Sequence, residues 1–454
     1  MNARSRTTRW LAPLALLGVV GCGAAAAPAA DAPYDLVIAN GRIVDGTGNP
    51  WYEGDVGVRG DRIASITPKG GLAGAATRER VDAAGLVVSP GFIDIQSHSW
   101  HQLLFADGRV VGKISQGVTS EILGEARTPA PTNARFDSLF SGGDAGDSAY
   151  RARWAHFRGP HGFGAWLDSM EAHGNAVNVG SYLGAATVRA YAMSAEEGAP
   201  DAAALDTMRA VVQNAMLDGA FGISSALIYP PGSYAGTDEL IEMAKAMAPL
   251  HGTYITHVRS EERRLLSALD EAIRIGKEGG VPVEIYHLKA AGTRNWSKAR
   301  AMIAKIDSAR ATGFDVQANM YPYTAGGTGL AACLPPFASE DGKLMANVSN
   351  AAARAHIRAE VEKPTSFWES LCEQATPEGV LITSLRSPAN QKYAGKRLGE
   401  IAKDMGKDWL DTVMDPLKTE QGNIGTIYFL MSEDNVKYFL AQPWMKIGTD
   451  AGGT

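Results

Sequence analysis

The chain has 454 residues, 45% of them hydrophobic, and a formal net charge of −6. That length supplies a large core and a smaller second one, and the mildly acidic balance without a Lys/Arg run excludes an electrostatic footprint for nucleic acid. Three cysteines exclude a disulfide scaffold.

In chain order, Arg4, Arg6 and Arg9 precede an apolar run over residues 11–20, too short to span a bilayer and suited to a secretory signal. The run leads to Val19-Val20-Gly21-Cys22, which resembles a bacterial lipoprotein cleavage box with Cys22 as the lipidated residue. An ordinary secretion signal cut within "AAAAPAA" is the alternative. The expectation is a signal peptide over 1–22, an Ala-rich tether over 23–33, and an exported, periplasmic protein touching the membrane only through a lipid on Cys22. Cys333 and Cys372 remain, either paired or as separate core residues. The oligomeric state stays open.

From Tyr34 the texture is β: "YDLVIANGRIVDG", "GDVGVRGDRIASITP" and "ERVDAAGLVVSPG" are short alternating runs broken by Gly, Asn and Asp turns. They predict a small β domain over 34–88. From 89 to 454 strands alternate with amphipathic segments. "GFIDIQSH", "TSEILGE", "VNVGSYLG", "AFGISSALIY", "GTYITHVRS", "VPVEIYHLKAAG" and "FDVQANMYPYT" read as strands, followed by the weaker units "GVLITSLRS", "TIYFLMSED" and "MKIGTD". Between them, "EERRLLSALDEAIRIGKEG" places Leu265, Leu266, Leu269, Ile273 and Ile275 on roughly one helical face. This alternation predicts an α/β fold with a parallel sheet, closed as a (β/α)8 TIM-type barrel. The long polar connection 128–163 follows the second strand and reads as a lid or an inserted excursion.

His257 and His287 each close a predicted strand and lie one βα unit apart, so both imidazoles belong at the C-terminal mouth of adjacent strands. Asp450 in "KIGTD" ends another strand. Together they point to a metal or an acid/base site. A hydrolytic zinc needs about three protein ligands and an open position. In "TSEILGEA" Glu125 reaches the mouth while Glu121 lies deeper; the alternative for Glu125 is a solvated loop carboxylate. Asp94, Gln96 and His98 alternate at the end of the first strand, where a single histidine stands.

"LVIANGRIVDGTG", "VVSPGFID" and "QGVTSEI" resemble the opening of the amidohydrolase superfamily. "DGAFGISSALIYPPGSYAGTDELIEMAKAM", "YITHVRSE", "EAIRIGKEGGVPVEIYHLKAAG", "NWSKA" and "MYPYTAGGTGL" resemble the N-acyl-D-amino-acid deacylases, or D-aminoacylases. The resemblance runs from Tyr34 to Thr454. It implies a zinc-dependent deacylase that cleaves a small N-acylated D-amino acid, on a barrel with a small N-terminal β-sandwich module. It assigns His257 and His287 to the tightly held metal, Asp450 to catalysis, Lys289 and Tyr321 to substrate contact, and Arg189 in "GAATVR" to a recurrent arginine placed with the substrate group. Three departures stand out. The family's first-strand His-x-His is Gln96-x-His98, which leaves these two as secondary metal or water contacts and removes a ligand of a second metal. The cysteine of its "GNCG" is Ala126, with Glu125 as the substitute ligand beside it. Family members also continue past the Asp450 motif, so a truncated C-terminus, lacking the last barrel helix and the partner strands of the sandwich, is expected. A hydrolase of D-residue dipeptides or cyclic amides, or a ligand-binding lipoprotein without catalysis, are the alternative functions.

Overall fold

The computed structural model describes residues 33–136, 154–194, 196–364 and 368–453. The expected signal peptide, Cys22 and almost all of the tether lie outside the described residues. No helix among those described is long and apolar enough to cross a membrane.

The chain divides between Pro90 and Gly91. The first unit holds β1 (Tyr34–Ile43), β2 (Tyr52–Arg59), β3 (Arg62–Pro68), β4 (Thr77–Asp82) and β5 (Val87–Val88) in one sheet of order β3-β2-β1-β4, with β5 also on β1. A bulge in β1 between Ile38 and Gly41 is held by Asp55, whose carboxylate accepts from the Asn40 and Leu72 backbone N–H groups at 2.9 and 3.0 Å. Among the described residues this unit has one sheet; a second layer of a sandwich is not among them.

The second unit is α/β. Its parallel strands are β6 (Phe92–Asp94), β7 (Val118–Leu123), β8 (Asn178–Ser181), β9 (Leu183–Gly184), β10 (Gly222–Ala226), β11 (Thr253–His257), β12 (Val283–Ile285) and β13 (Val316–Met320). Next come β14 (Ala325–Gly329), β15 (Val380–Ser384), β16 (Gly425–Phe429) and the last strand, β17 (Met445–Ile447). One parallel sheet runs β17-β13-β12-β11-β10-β9 and another β6-β7-β8. Only Tyr182 separates β8 from β9, and a parallel bridge joins Ser97, beyond β6, to Ala451, beyond β17.

Helices pack outside these strands. The helix Leu265–Gly279 buries Leu265, Ala268, Leu269, Ala272, Ile275 and Gly276, while Leu266 and Ile273 are only half-buried. The core face is therefore narrower than expected, with small residues admitting close approach. A Cβ on Gly276 would fall 2.2 Å from Val283 Cγ2 of β12, so only glycine fits there.

Two expected barrel units lie elsewhere. "GVLITSLRS" and "TIYFLMSED" supply β15 and β16, which form an antiparallel sheet of order β14-β16-β15 with the glycine-rich "AGGTG". This sheet belongs to a lobe inserted between β13 and β17. Strand alternation reports a buried face but not which sheet buries it. Within the lobe Cys333 and Cys372 form a disulfide. In the connection 128–163, Thr132 bridges Arg158 and the buried rings of Phe136, Phe157 and Phe163 anchor the two described arms.

Candidate metal centre

Glu125, His257 and His287 come together at the C-terminal ends of their strands. Glu125 follows β7 between two residues in the left-handed region, Gly124 at φ +106° and Ala126 at φ +59°. A side chain on Gly184 would run into Arg127 Cα at 2.5 Å, so this glycine lets the loop that carries Glu125 sit against β9. His257 is the last residue of β11, and His287 lies two residues past β12, at φ +33°. Asp450, beyond β17, also has a positive φ of +52°. Such backbone costs energy for a residue with a side chain and concentrates at functional sites.

Glu125 Oε1 lies 3.4 Å from His257 Nδ1 and 3.3 Å from His287 Nε2. Two ligands at about 2.0–2.1 Å from a tetrahedral zinc are about 3.3–3.4 Å apart, so these edges fit a shared ion. The three donor atoms lie within 4.8 Å of one another, and both histidines are buried. Burial lowers the pKa of His257, which favours the neutral imidazole a metal needs. Burial and the Lys289 charge oppose protonation of His287, but the Glu125 and Glu261 carboxylates outweigh them and raise its pKa to about 9. Burial would raise the pKa of Glu125, yet the three surrounding imidazoles hold it well below the ordinary range.

Behind the histidines stands Glu261, which the sequence reading did not single out. Its Oε1 accepts from Lys289 Nζ at 2.6 Å and lies 3.2 Å from His287 Nδ1 and 3.7 Å from His257 Nε2. Carboxylates in this position fix the tautomer and orientation of metal-binding imidazoles. The available signal was its place in "YITHVRSE", four residues after His257.

Gln96 and His98 reach the same place from the segment after β6, which ends at Asp94, earlier than the alternation suggested. Gln96 Nε2 donates to Glu125 Oε2 at 2.6 Å and to Asp450 Oδ1 at 3.1 Å. His98 Nε2 lies 2.9 Å from Asp450 Oδ1 and 3.4 Å from Glu125 Oε2. His98, Glu125 and Asp450 thus form a second group of possible ligands. Glu121 is fully buried below them.

These groups open into a cavity of about 180 Å³ that Lys289 and Tyr321 also line, with Gly326, Gly327, Thr328, Leu371 and Tyr428 contributed by the inserted lobe. Lys289 Nζ lies 2.8 Å from His287 Nδ1 and 5.6 Å from the Tyr321 ring centre. A larger cavity, about 300 Å³, adjoins it across Ile228, Tyr229, Glu261, Thr328 and Leu371. Arg189 is not brought here. Its fully buried guanidinium pairs with Glu239 and donates to the carbonyl oxygens of Glu196 and Gly198, so the substrate-contact reading of this arginine is corrected to one of internal packing. The arginine sits on a helix, Ala185–Met193, whose residues are nearly all buried.

No family model matches the chain. A curated relative, the D-aminoacylase of Alcaligenes xylosoxydans xylosoxydans, is 34% identical over 428 residues, covering 92% of this chain and 74% of its own length. The chain belongs to the D-aminoacylase family. A D-aminoacylase structure that addresses a binuclear metal centre, with one-metal activation and second-metal attenuation, matches with a TM-score of 0.72 at 32% identity, covering 92% of this chain and 76% of that one. The N-acyl-D-glutamate deacylase of Bordetella bronchiseptica, complexed with zinc and a phosphonate mimic of the tetrahedral intermediate, matches with a TM-score of 0.72 at 28% identity and the same coverage. The chain is thus an α/β amidohydrolase of the D-aminoacylase family, with a cluster of residues suited to a metal.

Proposed function

We propose that the chain hydrolyses the amide bond of N-acyl-D-amino acids, releasing a carboxylate and a free D-amino acid, with one zinc ion held by Glu125, His257 and His287. The observation that carries this is the convergence of those three donors within 4.8 Å of one another, with Glu125 at ligand spacing from both histidines and within reach of Gln96 and His98, which also touch Asp450. The fold that accompanies it is a (β/α)8 barrel, supported by eight parallel strand positions (β6, β7, β8 with β9, β10 to β13, and β17) joined at both ends.

Zinc bound there supplies Lewis acidity toward the amide carbonyl and toward water. Asp450 is the general base: it takes a proton from the attacking water and passes it to the leaving amine. Lys289 has three N–H donors, of which Glu261 engages one. Another can pair with the substrate carboxylate, and Tyr321 walls the same cavity. The adjoining larger cavity has room for another arm of the substrate. Buried Cys333–Cys372 pairing supports export to an oxidising compartment, in keeping with a periplasmic protein anchored at Cys22.

The test is to measure bound zinc and turnover on a panel of N-acetyl-D- and N-acetyl-L-amino acids. Asp450→Asn is expected to keep the metal and abolish turnover; Glu125→Gln is expected to lose metal. Normal hydrolysis by Asp450→Asn rejects the base assignment, and full zinc occupancy in Glu125→Gln removes Glu125 from the ligand set.

A further inference from the structure

The two candidate ligand groups share Glu125 but use different oxygens. Oε1 faces His257 and His287, whereas Oε2 faces His98 and, with Asp450 Oδ1, would serve any cation in the second group. Those same two oxygens, Glu125 Oε2 and Asp450 Oδ1, both accept from the Gln96 amide nitrogen. Gln96 is 2% exposed, and its carbonyl oxygen is buried without a partner, so the amide is oriented by its N–H groups alone. The reverse orientation would set a carbonyl oxygen against two carboxylates. A neutral amide therefore already engages, by hydrogen bonding, the two carboxylate oxygens that a second metal would use, and an amide oxygen is a poor replacement for an imidazole toward zinc.

We propose that Gln96 takes the place of a second cation. The chain works with a single metal, and Gln96 is a positioning residue that spans Glu125 and Asp450, holding ligand and base at one spacing whatever the zinc supply. The inference rests on the metal reading above and departs from the binuclear centre of the structurally similar D-aminoacylase.

Metal counting on the full chain tests it. The chelator-stripped protein is titrated with Zn²⁺, and retained zinc is measured by mass spectrometry beside calorimetric stoichiometry. One ion per chain is expected for the wild type, two for Gln96→His with the second weaker, and one for Gln96→Ala, with a folded state confirmed by circular dichroism. In turnover, excess zinc is expected to leave the wild type unchanged and to depress Gln96→His severalfold. Two ions in the wild type, one ion in Gln96→His, or a wild-type kcat in Gln96→Ala each overturns the proposal while leaving the one-metal hydrolase chemistry of the Glu125 group intact. A wild type that binds no zinc overturns the metal reading itself, and this inference with it.

Discussion

Lys113 Nζ donates to the carbonyl oxygen of Ala451 at 2.9 Å, although the two residues are 338 positions apart. The lysine is 4% exposed, pairs with Asp94 and donates to the Thr449 hydroxyl, so it grips the chain on both sides of Asp450. Asp94 completes the grip, accepting from the Thr449 backbone N–H at 2.8 Å. The positive φ at Asp450 is thereby held by a buried ionic clamp rather than by the residue's own preference.

Lys113→Met is expected to lower kcat strongly while zinc occupancy stays at wild-type level, because the clamp holds the residues on both sides of the base and touches none of the zinc ligands. Removing one partner of a buried pair costs about 3–5 kcal/mol, so unfolding by urea should be monitored alongside. Thr449→Val removes only a hydroxyl and should lower kcat in a fully folded protein. Zinc loss in step with activity in both variants would assign the clamp to general stability instead.

Glu261→Gln is expected to weaken zinc binding by about 10–100-fold, the usual effect of losing a carboxylate behind metal-binding imidazoles. The carboxylate engages Lys289 and His287 and lies 3.7 Å from His257 Nε2. A competition assay against a zinc chelator reads the change; an unaltered dissociation constant would dismiss the role.

Glu369, on the inserted lobe, accepts from Ser260 Oγ at 2.6 Å and from the backbone N–H groups of Glu261 and Arg263 at 3.3 and 3.1 Å. Burial outweighs these donors, and with nearby Glu262 it raises the pKa from 4.5 to about 7. The folded state then binds more protons than the unfolded state between those values, so this group's contribution to stability falls as pH rises through that window. The stability difference between wild type and Glu369→Gln should drift against the wild type by on the order of 2 kcal/mol from pH 5 to pH 8, after allowing for partial solvent exposure. Parallel pH profiles for the two proteins would refute the linkage.

Arg189→Met leaves Glu239 buried and unpaired, with an expected loss of about 3–5 kcal/mol in unfolding free energy. The double variant Arg189→Met/Glu239→Met should recover most of it, because an apolar pair of similar volume replaces a buried ion pair at little net cost. The KM of the folded double variant should match the wild type. A large KM increase there would return Arg189 to the substrate site.

The sequence by itself determined what local spacing can encode. Two histidines at equivalent strand ends, one βα unit apart, and a carboxylate at the end of β7 place three donors at one mouth, because parallel strands present their C-terminal ends together. Asp450 was legible for the same reason. Tertiary structure alone decided the rest. Strand alternation could not tell β15 and β16 from the parallel strands, since a buried face looks alike in either sheet. A helix pattern could not show that Arg189 meets Glu239 rather than a substrate. Glu261 acquired its place only when the loop after β11 folded under both imidazoles. The tasks of Gln96 and Lys113 depend on partners as far as 354 and 338 residues away. Those contacts follow from the meeting of the first and last strands of the unit, a closure that no local pattern of residues carries.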